Sequence, residues 1–142
     1  MKLTVIGLGQ CGCRIADHFA RLNLKARAQR KATIAPTVIA VNTDQADLTG
    51  LRFIKNDYKH RVLLGLRRTM GHGVGKINEL GARLAKEDGD KVLDAVKASP
   101  QFYGTHAVLL IAGAAGGIGS GSLPIMARQL RIDMLASQFT HW

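Results

Sequence analysis

Val108–Pro124, VLLIAGAAGGIGSGSLP, is the stretch whose reading decides the fold. Its branched apolar run stops at Gly113, and five glycines fall between Gly113 and Gly121 before helix-compatible sequence resumes. A continuous apolar run bounded by glycine reads as a buried strand of a parallel sheet. The glycines let the backbone turn sharply and approach a ligand, and the helix behind them begins with unpaired N–H groups. Strand, glycine loop and helix start together form the geometry that holds a phosphate, so a nucleotide site is expected.

The same arrangement recurs upstream. Lys2–Leu8 has the β-branched content of a strand, and Ile15, Ala16, Phe19, Ala20 and Leu22 return at helical spacing from Gln10 to about Leu22. Between them stands Gly7-Leu8-Gly9-Gln10-Cys11-Gly12, a GxGxxG of the kind found in phosphate-binding βα turns. Asn23–Pro36 is polar and basic and reads as an exposed connection. Thr37–Val41 is a second strand, ending in Asn42-Thr43-Asp44, side chains that bond turns or ligands. Arg61–Leu64 reads as a third strand and His106–Ala112 as a fourth. A second glycine loop, Gly71-His72-Gly73-Val74-Gly75, precedes a helical segment with Asn78, Glu79, Leu80 and Leu84. A separate helix is expected over Asp88–Ala98, and a last one near Pro124 that continues over Ile125–Leu135. The order β-α-β-β-α-α-β-α implies an α/β fold with its ligand loops at one edge.

Composition bounds the function. At 142 residues the chain is one domain by length and long enough to bury roughly two-thirds of its unfolded surface. No apolar run reaches the ~20 residues of a bilayer span, and Gly7, Gly9 and Gln10 interrupt the N-terminal apolar stretch, so neither a transmembrane segment nor a signal peptide is expected. A cytoplasmic location follows as the expectation. Cys11 and Cys13 fall short of a zinc ligand set, so no metal site is read from them. The net charge of +10 is concentrated at Arg21–Lys31 and Arg52–Arg68 and favours anionic partners. With few aromatics it reads as a solvated basic surface rather than a specific nucleic-acid interface.

Three nucleotide sites compete. A P-loop is excluded, because Met70 and Ile77 stand where GxxxxGK[ST] needs its first glycine and its hydroxyl. A dinucleotide-binding Rossmann domain of an NAD(P)-dependent oxidoreductase fits the GxGxxG but expects an acid after the second strand, where Asn42 stands with Asp44 two further on.

The third reading is a resemblance. Gly9-Gln10-Cys11-Gly12 followed by Ile15 is similar to the first nucleotide loop of tubulins, and Ala112–Pro124 resembles the GGGTGSG signature of the tubulin/FtsZ superfamily of GTPases. Asn42–Leu51 and Gly71–Gly81 resemble the NTxxADLxGL and GHGVGxxNELG patterns of the archaeal CetZ group, tubulin-like proteins linked to cell shape. The resemblance covers about residues 1–130, and the tail 131–142 does not share it. It implies a Rossmann-like, three-layer parallel sheet, truncated relative to the family.

The resemblance also implies roles. Gly9, Gln10, Cys11, Gly12, Cys13 and Arg14 would form the first loop around the α- and β-phosphates of GTP or GDP. Asn42 and Asp44 would lie near the phosphates and an optional Mg²⁺. Gly71, Gly73, Val74 and Gly75 would approach the γ-phosphate, and Ala115, Gly116, Gly117, Ile118, Gly119 and Ser120 would hold the β- and γ-phosphates through backbone N–H groups. The implied partners are guanine nucleotide, further copies of the chain and full-length tubulin-like relatives, whose filaments such a fragment could also cap.

Three departures qualify this. Ala115 replaces a glycine. Ile118 replaces a threonine, whose lost hydrogen bond to a charged group is worth about 1.5–3 kcal/mol. Arg14 stands where Asn or Gln is usual and is either a phosphate partner or a solvated helix charge. The resemblance further implies base contacts, a long central helix and an acidic loop that activates water, which are expected to lie beyond the matching stretch, and no catalytic base is identified; His72 reads as a hydrogen-bonding loop residue.

Overall fold

The computed structural model describes residues 1–73 and 78–140. Its elements run β1 (Leu3–Leu8), α1 (Gly9–Arg30), β2 (Thr37–Asn42), α2 (Gln45–Thr49), β3 (Arg61–Leu63), α3 (Leu66–Thr69), α4 (Asn78–Ala98), β4 (Ala107–Ala112) and α5 (Gly117–Thr140), with a 3₁₀ turn at Phe102–Gly104. The strands form one sheet in the order β3-β2-β1-β4, parallel throughout, with Val5 opposite Val38 and Leu109.

Alternation along the strands builds two cores. Ile6, Leu8, Ile39, Val41 and Val62 face Leu84, Val92, Val96, Ile118 and Met126 of α4 and α5. Val5, Val38 and Ala40 face Cys13, Ala16 and Ala20 of α1, together with Leu48, Leu51 and Ile54. The α/β three-layer reading is therefore correct. Helices cover both faces, which is why β1 and β2 read as unbroken apolar runs.

Several boundaries differ from the sequence reading. Helix α1 runs through the expected loop to Arg30 because Leu24, Lys25, Ala26, Arg27 and Gln29 are strong helix formers even without an apolar face. It stops where Lys31 takes φ 51° and Ala32 N–H donates to Ala26 O at 3.2 Å. Asn23 then ties the following loop to the helix, its Oδ1 accepting from Ile34 and Ala35 N–H at 2.9 and 3.0 Å.

The two helices expected between residues 78 and 98 are one, α4, with Gly81 and Gly89 inside it. Both glycines face α5. A Cβ on Gly81 would stand 2.3 Å from the Gly117 carbonyl oxygen, and one on Gly89 would stand 2.8 Å from Gln129 Oε1. These residues are therefore contact points between helices rather than breaks. Helix α5 starts at Gly117, well before Pro124, which lies inside it.

Gly81→Ala tests this contact. Alanine improves helix propensity by about 1 kcal/mol, but the Gly117 carbonyl is backbone and cannot rotate away, so α4 and α5 must separate. A net loss of about 1–2 kcal/mol is expected by thermal denaturation. Gly104→Ala, with no atom within 4 Å of the new carbon, should leave the midpoint unchanged.

Candidate nucleotide site

Leu8, Asn42 and Ala112 end their strands at the same edge of the sheet, and the loops beyond them enclose a cavity of about 660 Å³. It is lined by Leu8–Cys11, Asn42–Asp44, Asp47, His72, Gly73 and Gly113–Gly119. Pieces of all four sequence motifs thus meet at one site.

Two helices begin there. Strand β1 passes into α1 with no intervening loop, since Leu8 is still extended and Gly9 is already helical in position, with φ +75°. No side chain caps α1, and neither α1 nor α5 carries an acid in its first turn. The two starts touch. A Cβ on Gly9 would lie 3.0 Å from Gly119 N, and one on Gly119 would lie 2.9 Å from Leu8 O. Each helix start carries about half a positive charge and several N–H groups without a helical acceptor. Two of them converging on one cavity make a site for an anion.

The opposite wall carries the acids. Asn42 is buried and organises it. Its Oδ1 accepts from Thr43 and Asp44 N–H at 2.8 and 3.3 Å, and its Nδ2 donates to Asp47 Oδ2 at 3.2 Å. Gln10 Nε2 reaches across from α1 to Asp47 Oδ1 at 3.3 Å. Asp44 caps α2, its Oδ1 accepting from Ala46 and Asp47 N–H at 2.9 and 3.1 Å. The 71–73 loop is held by Gln45 N–H on Gly71 O at 2.8 Å and Gly73 N–H on Thr43 O at 3.2 Å, with a bridge between Asp44 and His72.

Other residues named from the sequence lie around this cavity. Cys11 is exposed on its wall, whereas Cys13 points into the α1 core and donates to Val41 O at 3.3 Å and Gly7 O at 3.5 Å. Burial pushes the Cys13 thiol up to about 12. Gly12 is buried behind the cavity, where a Cβ would meet the Ile111 carbonyl at 2.2 Å. Arg14 lines a different groove. Gly71 is buried beneath its loop with φ +81°, and Ser120 Oγ donates to Gly116 O. Ile118 borders the cavity but belongs to the core, 5% exposed among the α4–α5 residues. Val74 and Gly75 lie outside the described residues.

Two further cavity residues, Asp47 and Thr43, were read from the sequence only within motifs and were given no role at the site. Asp47 was visible only as part of a motif, because its partners Asn42 and Gln10 come from separate strands and helices. Thr43 is fully buried and its Oγ1 has no hydrogen-bond partner among the described residues.

The GTPase-domain model of the Tubulin/FtsZ family matches residues 2–140. The chain belongs to the Tubulin/FtsZ family. Membership decides against the dinucleotide-dependent oxidoreductase. The tubulin-like protein CetZ1 of Haloferax volcanii is 43% identical over 131 residues, which are 92% of this chain and 31% of that protein. The chain therefore spans about a third of such a relative. Among solved structures, a GDP-bound CetZ1 monomer from Haloferax volcanii superposes with TM-score 0.83 at 42% identity, covering 92% of this chain and 38% of that one. A GTPγS-bound protofilament of CetZ2 from the same organism gives TM-score 0.75 at 35% identity, covering 92% and 36%.

Two measurements probe the site. Cys11→Asp places a carboxylate among the free N–H groups of α1. The unliganded protein should be as stable as before, or up to about 1 kcal/mol more stable, while nucleotide-induced stabilisation is lost to charge repulsion. Thiol alkylation near pH 8 should modify Cys11 in the folded chain and reach Cys13 only after denaturation, read by mass spectrometry.

Proposed function

We propose that this chain is the nucleotide-binding part of a CetZ-like cytoskeletal GTPase and that its cavity takes the phosphates of GTP or GDP. The observation that carries this reading is the meeting of the α1 and α5 starts, both free of acids in their first turns and α1 without a side-chain cap, at one cavity. The backbone N–H groups of Gln10 and Cys11 on one helix and of Gly117 and Ile118 on the other would receive phosphate oxygens.

The residues also suit Mg²⁺ as a companion of the phosphates. Mg²⁺ is usually held by one or two carboxylates together with waters and phosphate oxygens. Asp44 and Asp47 lie on the cavity wall, and beside them the Thr43 hydroxyl has no partner among the described residues. Among the described residues no cluster of three or more metal-ligating groups exists, so the phosphates would have to complete the coordination. Bound there, the ion would neutralise charge on the phosphates.

Hydrolysis needs a group that activates water, and the acids at hand are already engaged. Asp44 caps α2, and Asp47 accepts from Gln10 and Asn42. We therefore assign water activation to a docking subunit, in keeping with the protofilament formed by CetZ2. Filament formation in the cytoplasm, serving cell shape or division, is the corresponding cellular role. No helix among the described residues is long and apolar enough to cross a membrane. The tail 131–142 is proposed to lie outside the conserved nucleotide-binding part, although helix α5 continues through it to Thr140.

Thermal denaturation with ligands tests the reading. A guanine nucleotide with Mg²⁺ at a hundred times its dissociation constant should stabilise the chain by about 2.7 kcal/mol, a shift of roughly 5–11 °C at this size. NAD⁺ at the same concentration should give none, and GTP turnover by the isolated chain should be negligible. Stabilisation by NAD⁺ alone would overturn the proposal.

A further inference from the structure

The basic character of the chain gathers at a second concave site, away from the nucleotide cavity. Arg14, His18, Arg21 and Lys25 follow one another at spacings of four, three and four, which places them along one face of α1. Facing them is the 50–53 segment, and the groove between has a volume of about 480 Å³, lined by Arg14, Asp17, His18, Arg21, Arg52 and Phe53 among others. Its one carboxylate is committed: Asp17 accepts from the backbone N–H groups of Arg52, Phe53 and Ile54 at 3.1, 2.8 and 3.0 Å. Arg14, Arg21 and Arg52 form no ion pair among the described residues. The Arg21 guanidinium lies over the Phe53 ring at 5.8 Å, and Ile15 and Leu22 are exposed beside Arg14 and Arg21.

We propose that this groove binds an acidic segment of a partner protein, with Arg14, Arg21 and Arg52 pairing its carboxylates and Phe53 packing its apolar residues. Guanidinium groups offer carboxylates two parallel hydrogen bonds, and three of them around one groove with no competing free acid are complementary to a short run of Asp or Glu. A bilayer is a poorer match, because it meets a flat or convex face, whereas these cations line a concavity. Nucleic acid is a poorer match too, since the groove offers a single ring for stacking and no extended basic track. The inference does not depend on the nucleotide reading.

Binding of a short fluorescein-labelled peptide of glutamates with interspersed leucines, followed by anisotropy, tests it on the full chain. Arg21→Glu with Arg52→Glu should weaken binding by roughly tenfold or more. Lys86→Glu with Arg131→Glu, an equal loss of charge on α4 and α5, should leave it within about twofold, since screening confines the effect to nearby charges. Equal losses from both pairs would reduce the effect to net charge and overturn the proposal. So would recruitment to anionic vesicles, or tighter binding of an oligonucleotide, that depends on Arg21 and Arg52 while the peptide fails to bind. Carbodiimide coupling of the peptide to the unmodified chain checks the location independently of variant folding. It should attach the peptide to Lys25 in preference to Lys86, Lys91 and Lys97 on α4, and the reverse preference would refute it.

Discussion

The contact between the starts of α1 and α5 is the constraint on which the rest of the structure depends. Two helix N-termini carry like partial charges and repel one another, and each brings N–H groups that its own helix cannot satisfy. They meet here at van der Waals distance because Gly9 and Gly119 present no side chains to each other. β1 and β4 are adjacent and in parallel register, Leu8 beside Ala112, so their helices necessarily start side by side. An anion resolves the electrostatic cost. Sheet order and glycine placement thus follow from one arrangement.

The acidic wall answers a second problem. A site proposed to take phosphate must hold its carboxylates away from direct contact and still orient them. Asn42 does this from the end of β2, using its carbonyl oxygen to close the Thr43–Asp44 turn and its amide to hold Asp47. Gln10 adds a strut from α1 to the same carboxylate. Asp44 and Asp47 are therefore fixed by polar neighbours before any ligand arrives, which reduces the ordering cost of binding.

The strands and the glycine-rich segments that line the cavity were legible in the sequence because they are local. Branched apolar runs ending in glycine, at Leu8 and Ala112, carry strand and loop in adjacent residues. The parallel sheet and its helical layers followed from the order of elements. What was not legible depended on tertiary contact. Gly81 and Gly89 look like breaks until α5 is placed against them, and the Leu24–Arg30 stretch lacks the apolar stripe by which helices are recognised, though its residues favour helix. Asp47 gains its meaning from Gln10, a partner distant in the chain. Ile118 illustrates the opposite case: it was conspicuous as a departure from the signature, and its position shows why an apolar residue is tolerated, since it packs between Gly9 and the α4–α5 core.

β4 couples stability to the site. Its sequence is as apolar as that of β1 and β2, yet it lies at the edge of the sheet and every residue in it is half-buried, whereas β2 is buried throughout. An apolar strand at an edge keeps hydrogen-bonding groups and side chains open to a further partner. The loop that follows it, Gly113–Gly116, lines the candidate nucleotide cavity and leads directly into α5. Motion of β4 is therefore motion of that lining. Anything that covers this edge removes apolar surface from water and also narrows the range of loop positions from which Gly117 and Ile118 present their N–H groups. Affinity for the anion and coverage of the β4 edge should then rise together, because the same strand carries both.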